Sequence, residues 1–123
     1  MERIEEFARE GENFIFIDFS GFKYADEFAK LIELVKPVIA KYPSGSLNTI
    51  SNIENVRFDT AVKDIIVQYL EFNKPHVKFA VVIGMDGIKK MMAHALIKLS
   101  GRTNMSFAFT KEQAIEIILQ NAS

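Results

Sequence analysis

The segment NFIFIDF, residues 13–19, is the stretch on which the fold of this chain depends. Phenylalanine and isoleucine fill it almost without interruption, and the turn residues Ser20 and Gly21 follow it. A short apolar run that ends in turn residues is typical of a strand buried on both faces, as strands of parallel sheets are. We therefore expect residues 13–19 to form a central strand.

Helix and strand patterns alternate along the rest of the chain. Apolar residues at steps of three and four predict helices over residues 28–42, 60–70 and 87–99, and a last helix after a capping box at Thr110 and Gln113. Strands are predicted at residues 46–53, 76–84 and 105–109. This alternation indicates the α/β class, with a four-stranded parallel sheet and helices on its faces. Residues 3–9 are predicted to pair back on the first strand as an antiparallel N-terminal edge strand.

The bulk composition predicts one globular domain. The chain has 123 residues, of which 49% are hydrophobic and 25% are charged, and such a chain is long enough to bury a core. We expect a single domain over residues 1–123, with its core between residues 4 and 119.

Composition also argues against several function classes. A net charge of -1 provides no field that would gather nucleic acid. The absence of cysteine excludes disulfides, thiolate catalysis and cysteine metal sites. The first residues lack the pattern of a secretory signal, and no apolar run is long enough to span a bilayer, so a cytoplasmic protein is predicted.

The sequence shows no catalytic constellation. His76 and His94 have no second ligand at helical spacing, so we expect neither a metal nor another cofactor. An enzyme would require Asp18, Asp59 and Asp86 to converge from different strand ends and helix starts. Asp18 is predicted to cap the turn after the first strand, and a functional carboxylate with a perturbed pKa is the alternative.

A glycine-containing loop after the third predicted parallel strand is a candidate ligand loop. In α/β sheets such positions bind anions or nucleotides, although two glycines in a tight turn also serve a purely steric role. A pocket lined by Phe79, Met85 and Met91 would instead favour a lipid-like ligand, whereas a filled core would oppose one. The loop residues concerned are Gly84, Met85, Asp86, Gly87, Lys89 and Lys90.

Four segments resemble the STAS domains, and in particular their SpoIIAA-like group, which is related to anti-sigma factor antagonists. They are FIFIDFSGF (14–22), SNIENVRFDTAVKDII (51–66), VKFAVVIGMDGIKKMM (77–92) and GRTNMSFAFTKEQAIEII (101–118). The resemblance implies a β-αβαβαβα layout with the parallel strands in the order 2-1-3-4. It also implies a non-enzymatic regulatory domain with a protein partner such as a kinase-type anti-sigma factor, and it leaves a homodimer open. Because STAS domains are similar to the CRAL-TRIO lipid-binding fold, a carrier of a small apolar or anionic ligand is the alternative.

In the anti-sigma factor antagonists, a partner kinase phosphorylates a serine at the start of the second helix. Asp59 and Thr60 occupy the matching place here, and the resemblance assigns the partner surface to Asn55, Arg57 and Phe58. Aspartate and threonine are also favoured helix N-caps, which contribute about 1 kcal/mol by satisfying free amides. Asp59 and Thr60 are therefore either a phosphorylation switch or a structural cap.

Overall fold

A computed structural model of the chain describes residues 3–87, 90, 91, 94, 95, 98, 101 and 104–122, and within them five strands form one sheet. The strands are β1 (Ile4–Arg9), β2 (Glu12–Asp18), β3 (Leu47–Asn52), β4 (Val77–Ile83) and β5 (Met105–Ala108). The helices with described bounds are α1 (Ala25–Ala40), α2 (Thr60–Asn73) and α3 (Lys111–Ala122). The described residues between 87 and 98 also have helical backbone. Ile88, Met92 and Leu99 of the helix predicted there lie outside the described residues.

The strand order corrects one prediction and confirms another. The order is β1-β2-β3-β4-β5, with β1 antiparallel to β2 and all other neighbours parallel. The sheet is therefore mixed and five-stranded, and the predicted order 2-1-3-4 of four parallel strands is wrong. The predicted antiparallel edge strand is confirmed.

A tight turn explains the difference in order. Glu10 and Gly11 have φ angles of 52° and 79°, and this pair of positive values folds β1 directly back onto β2. The predicted order 2-1-3-4 counts only the four parallel strands, so its strand 1 is β2. That order would need a parallel strand on each side of β2, but the antiparallel β1 already fills one side. Strands β3, β4 and β5 therefore follow on the other side in chain order.

Helices cover both faces of the sheet, and alternate residues of β2 belong to two different cores. Ile15 and Ile17 face α1 and α2 in the first core, which includes Phe28 of α1 and Val62 of α2. Phe14 faces the opposite way into the second core. That core also contains Ile50, Val81, Ala114, Ile115 and Ile118 of β3, β4 and α3. The central, doubly buried strand predicted from NFIFIDF is confirmed.

Candidate functional site

The carboxyl ends of four strands define one edge of the molecule. Because β2, β3, β4 and β5 are parallel, the loops that follow them lie at the same edge of the sheet, where α/β proteins commonly bind their ligands. We call this region the carboxyl-end edge. It comprises residues 19–24, 53–60, 84–87, 90, 91, 109 and 110. All described members of the predicted switch, partner surface and ligand loop lie on it.

Backbone hydrogen bonds tie the loop after β3 to the loop after β2. The Arg57 amide donates to the carbonyl of Phe22, and the Gly21 amide donates to the carbonyl of Glu54, each at 2.9 Å. Both loops are therefore held in fixed relative positions without the help of a ligand.

The same loop presents polar side chains around a buried anchor. Asn55 has a φ of 58°, and its carbonyl accepts a hydrogen bond from Lys23 Nζ. The next side chain, Val56, is buried in the first core. Asn55 and Arg57 are exposed, and Phe58 is half-buried against the first core. The predicted partner surface is therefore accessible at two of its three positions and anchored at the third.

Gly84 lies where β4 comes closest to the loop after β3. Its φ is +84°, and a Cβ atom built there would lie 2.5 Å from Asn52 Oδ1 and 2.7 Å from the Glu54 amide nitrogen. Real Cβ atoms do not approach so closely, and the positive φ itself favours glycine. Gly84 therefore has a steric role in packing the two loops together, which was one of the two readings that the sequence left open.

Asp59 and Thr60 have different roles at the start of α2. Asp59 is the N-cap, since its Oδ1 accepts a hydrogen bond from the Val62 amide at 2.9 Å. Its other oxygen lies 3.9 Å from Arg57 Nε. Thr60 is the first residue of α2 and is exposed, and its hydroxyl group makes no hydrogen bond within the described part of the chain. The predicted cap is confirmed for Asp59 and does not involve the Thr60 side chain.

Large apolar side chains are concentrated on the carboxyl-end edge. Phe109 is 82% exposed, Met91 is 74% exposed and Tyr24 is 63% exposed. These residues follow β5, β4 and β2 respectively. The sequence predicted Phe109 as the last residue of a strand, but β5 ends at Ala108. Its position just before a capping box was the available signal that it lies in a turn.

The predicted ligand loop borders a very small hollow. Met85, Lys90, Phe107, Ala108 and Phe109 line a space of about 40 Å³. Pockets that hold small ligands have volumes of about 300 Å³ or more. Asp86 and Gly87 are exposed, and Lys89 lies outside the described residues. The hollow is too small for a nucleotide.

A second cavity lies between α2 and the sheet. Its volume is about 70 Å³, and Thr49 and Ser51 contribute hydroxyl groups to an otherwise mostly apolar lining. An apolar cavity of about 150 Å³ holds a molecule as small as benzene, so this smaller space cannot enclose a lipid chain. Phe79 packs on the second core and Met85 on the first, so these two residues do not line one pocket.

Asp18 caps a turn, as predicted. Its Oδ1 accepts hydrogen bonds from the Ser20 amide at 2.9 Å and from Asn52 Nδ2 at 3.4 Å. Arg3, the residue before β1, donates from Nη1 to the carbonyls of Asp18 and Ser20 and fixes the same turn. Asp18 and Asp59 thus each hold the backbone of their own loop.

The described residues contain neither a membrane-spanning helix nor a metal-binding cluster. None of the helices there combines the length and the apolar composition that a bilayer crossing requires. No group of three histidine, cysteine, aspartate or glutamate side chains there is arranged to hold a metal ion.

Shifted pKa values occur on β1, at the start of β2 and after α1. The pKa of Glu6 is lowered by the hydrogen bond that Tyr42 donates at 2.7 Å, and further by Lys41. Burial, together with this contact to Glu6, raises the pKa of Tyr42 to about 12. The pKa of Glu12 is lowered by hydrogen bonds from Asn48 and Lys78. These interactions join β1 to the end of α1, and β2 to β3 and β4.

The five-stranded sheet with helices on both faces defines an α/β domain. Its similarity to a solved structure identifies the fold more specifically. The structure is that of an uncharacterised protein from the DUF3478 family with a SpoIIAA-like fold, from Shewanella loihica PV-4. The TM-score is 0.70 at 9% sequence identity, and the likeness covers 92% of this chain and 90% of the other. The chain therefore has a SpoIIAA-like fold. No protein-family model matches it, and no curated protein does.

Proposed function

We propose that this chain is a non-enzymatic, STAS-like regulatory domain that binds a protein partner through its carboxyl-end edge. The observation that carries the proposal is the exposure of Tyr24, Met91 and Phe109 on that edge. Among the described residues, the remaining large and exposed hydrophobic side chain is Leu34, on α1. Exposed apolar side chains on the loops of one edge, which also carries the exposed Arg57, have the composition of a protein interface.

The geometry of the loops supports this proposal. Hydrogen bonds between the loops after β2 and β3, together with the close packing at Gly84, tie the loops after β2, β3 and β4 to one another. A surface that is rigid before binding loses little conformational entropy when a partner docks. Tyrosine and arginine, here Tyr24 and Arg57, are among the residue types that contribute most to binding energy at interfaces, and phenylalanine, here Phe109, is enriched there.

Thr60 is the proposed regulatory position on this edge. Its hydroxyl is exposed and is not used for capping, so phosphorylation would leave the Asp59 cap in place. A helix N-terminus tolerates a phosphate, and about two added negative charges beside Asp59 would oppose the docking of a surface fitted to the neutral threonine. By its resemblance to the anti-sigma factor antagonists, the proposed partner is a kinase-type anti-sigma factor that modifies Thr60.

Affinity capture with matched variants tests the binding edge. We expect Phe109→Ser and Tyr24→Ser each to reduce recovery of a specific partner at least tenfold by quantitative mass spectrometry. Leu34→Ser removes a comparably exposed apolar side chain outside the edge, and it should leave recovery unchanged. Equal losses in all three variants, or no loss in any of them, would contradict the proposal.

A second experiment addresses Thr60. We expect Thr60→Glu to weaken partner binding and Thr60→Val to preserve it. On incubation with the captured partner and ATP, wild type should gain the mass of one phosphate, and Thr60→Val should not. If Thr60→Glu binds as wild type does and no phosphate is transferred, Thr60 is not a switch, although the edge itself can still be the interface.

The alternative function, a carrier of a lipid-like or anionic ligand, is not favoured by the cavity beside α2 or by the hollow at the ligand loop. With volumes of about 70 and 40 Å³, neither can enclose such a ligand. We expect native mass spectrometry of the purified protein to show the mass of the chain without a co-purified small molecule. A stoichiometric lipid or nucleotide adduct would reverse this preference.

A further inference from the structure

The outer edge of β1 lies outside the surface to which the proposed function is assigned. β1 is the first strand in the sheet order and, within the described residues, pairs with β2 alone. It has six residues and contains neither proline nor a bulge. An edge strand of this kind presents a row of backbone donors and acceptors that another strand can pair with.

The pairing with β2 shows which residues direct their backbone groups outward. The Asp18 amide donates to the Arg3 carbonyl at 2.8 Å, so these two residues form a hydrogen-bonded pair. Hydrogen-bonded and non-hydrogen-bonded pairs alternate along an antiparallel ladder. Ile4, Glu6 and Ala8 therefore direct their N–H and C=O groups away from β2.

We propose that a second copy of this chain pairs with β1 antiparallel, with Phe7 opposite Phe7 of the second copy. The sheets of the two copies then join into one continuous sheet about a two-fold axis. In this register Glu6 lies opposite Ala8 of the second copy, and these residues are the ones whose backbone groups face outward. Each such pair exchanges both backbone hydrogen bonds.

Charge selects this register over its neighbours. With Phe7 opposite itself, Glu5 lies opposite Arg9 of the second copy, and the symmetry repeats this favourable pair. Moving the centre to Glu6 would place Glu6 opposite itself and Arg3 opposite Arg9. Moving it to Glu5 would place two Glu5 side chains together, and registers centred closer to either end of β1 pair fewer residues. Like charges directly opposite each other destabilise a sheet.

The surrounding charges extend the complementarity. Glu5 already contacts Lys111, and Arg9 contacts Glu112 at 3.0 Å. When Glu5 lies opposite Arg9 of the second copy, four charged side chains form a row across the interface. Lys111 and Glu5 come from one copy and Arg9 and Glu112 from the other, and their charges alternate in sign. A network of alternating charges contributes more than isolated surface pairs do. Two Phe7 side chains also meet on this face, each of them stacked on Phe14 at 4.9 Å between ring centroids.

A proline variant tests the backbone pairing. Proline removes the N–H group of residue 8, which points away from β2, and it is tolerated on edge strands in that position. With any tag at the C-terminal end, we expect wild type and Ala8→Val to form dimers that dissociate on dilution in sedimentation velocity. Ala8→Pro should be monomeric with an unchanged circular dichroism spectrum. A wild type that is monomeric at every concentration, or an Ala8→Pro variant that dimerises as well as Ala8→Val, overturns the proposal.

Cysteine cross-linking tests the register, since the chain has no cysteine of its own. In the proposed pairing, the Cα atoms of residues 5 and 9 of different copies are about 4.5 Å apart, which suits a disulfide. Within one copy these positions are about 13 Å apart along the strand. We expect the double variant Glu5→Cys with Arg9→Cys to form covalent dimers on mild oxidation, and each single variant to remain uncoupled. Efficient coupling of a single variant, or none in the double variant, overturns this register.

Discussion

Gly84 is a residue of the carboxyl-end edge that leaves no room for a side chain. We expect Gly84→Ala to lower the free energy of unfolding by about 3 kcal/mol, because the added methyl group meets Asn52 and the backbone of Glu54. Urea unfolding followed by circular dichroism measures the change.

Gly45 provides the matched control. It also has a positive φ, of +65°, but a Cβ atom there would meet nothing within 4 Å. Gly45→Ala should therefore cost only the left-handed backbone conformation, about 1 kcal/mol. If Gly84→Ala and Gly45→Ala lower the free energy of unfolding equally, the close approach at Gly84 does not contribute to the loss.

Single residues differ in how far the sequence reveals their roles. The caps at Asp18 and Asp59 were predictable because each depends on amides two or three positions along the chain. The crowding at Gly84 and the exposure of Phe109 were not, since they depend on residues distant in sequence or on where the strand ends. The sequence indicated the loops of the candidate site, which remains a prediction, but it did not indicate that Tyr24, Met91 and Phe109 would be exposed there.

At the level of elements, the start of α2 can be tested separately from Thr60. Asp59→Ala removes the acceptor of the Val62 amide, and we expect a loss of about 1 kcal/mol in stability. Asp59→Asn keeps an acceptor and should remain within about 0.5 kcal/mol of wild type. Chemical denaturation of both variants distinguishes them, and a larger loss for asparagine than for alanine would contradict the capping role.

The contact between β1 and the segment after α1 makes stability depend on pH. The pKa of Glu6 is lowered in the folded state, mainly by Tyr42, from the usual value of 4.5. The contact therefore stabilises the fold fully above about pH 5, and this contribution is lost as the pH falls through the lower, folded-state pKa. We expect Tyr42→Phe to be less stable than wild type at neutral pH, with a difference that shrinks as the pH falls below the usual glutamate pKa of 4.5.

Unfolding midpoints measured in urea at several pH values give this difference directly. Tyr24→Phe serves as the control because Tyr24 is an exposed tyrosine whose removal leaves the Glu6 carboxyl unaffected. A difference for Tyr42→Phe that stays constant from neutral to acidic pH would show that Glu6 is not its origin.

The elements themselves were largely predictable, and their order was not. Runs such as residues 13–19 and 76–84 identified β2 and β4 because burial on both faces leaves a nearly continuous apolar signal. Apolar periodicity does not record which strands are neighbours. The order was set by the turn at Glu10 and Gly11, which fills one side of β2 with β1.

For the whole molecule, the two cores share one sheet. Phe14 belongs to one core and Ile15, the next residue of β2, belongs to the other. Neither core can lose its packing without disturbing the strand that holds the other. We expect far-ultraviolet circular dichroism and tyrosine fluorescence to give one coincident transition in urea, with a slope of about 1–3 kcal/mol/M. Two separated midpoints would show that residues 1–123 do not behave as the predicted single domain.

The sequential strand order has a consequence for how the chain acquires its structure. β1 and β2 are joined by a two-residue turn, and each later strand pairs with the strand that precedes it in the chain. During synthesis, each strand after β1 can therefore pair with a strand that has already been synthesised. No position inside the sheet has to be filled by a later segment. Compared with a crossed strand order, nearest-neighbour pairing shortens the sequence separation between paired strands, which favours faster folding and a shorter exposure of bare strand edges to other chains.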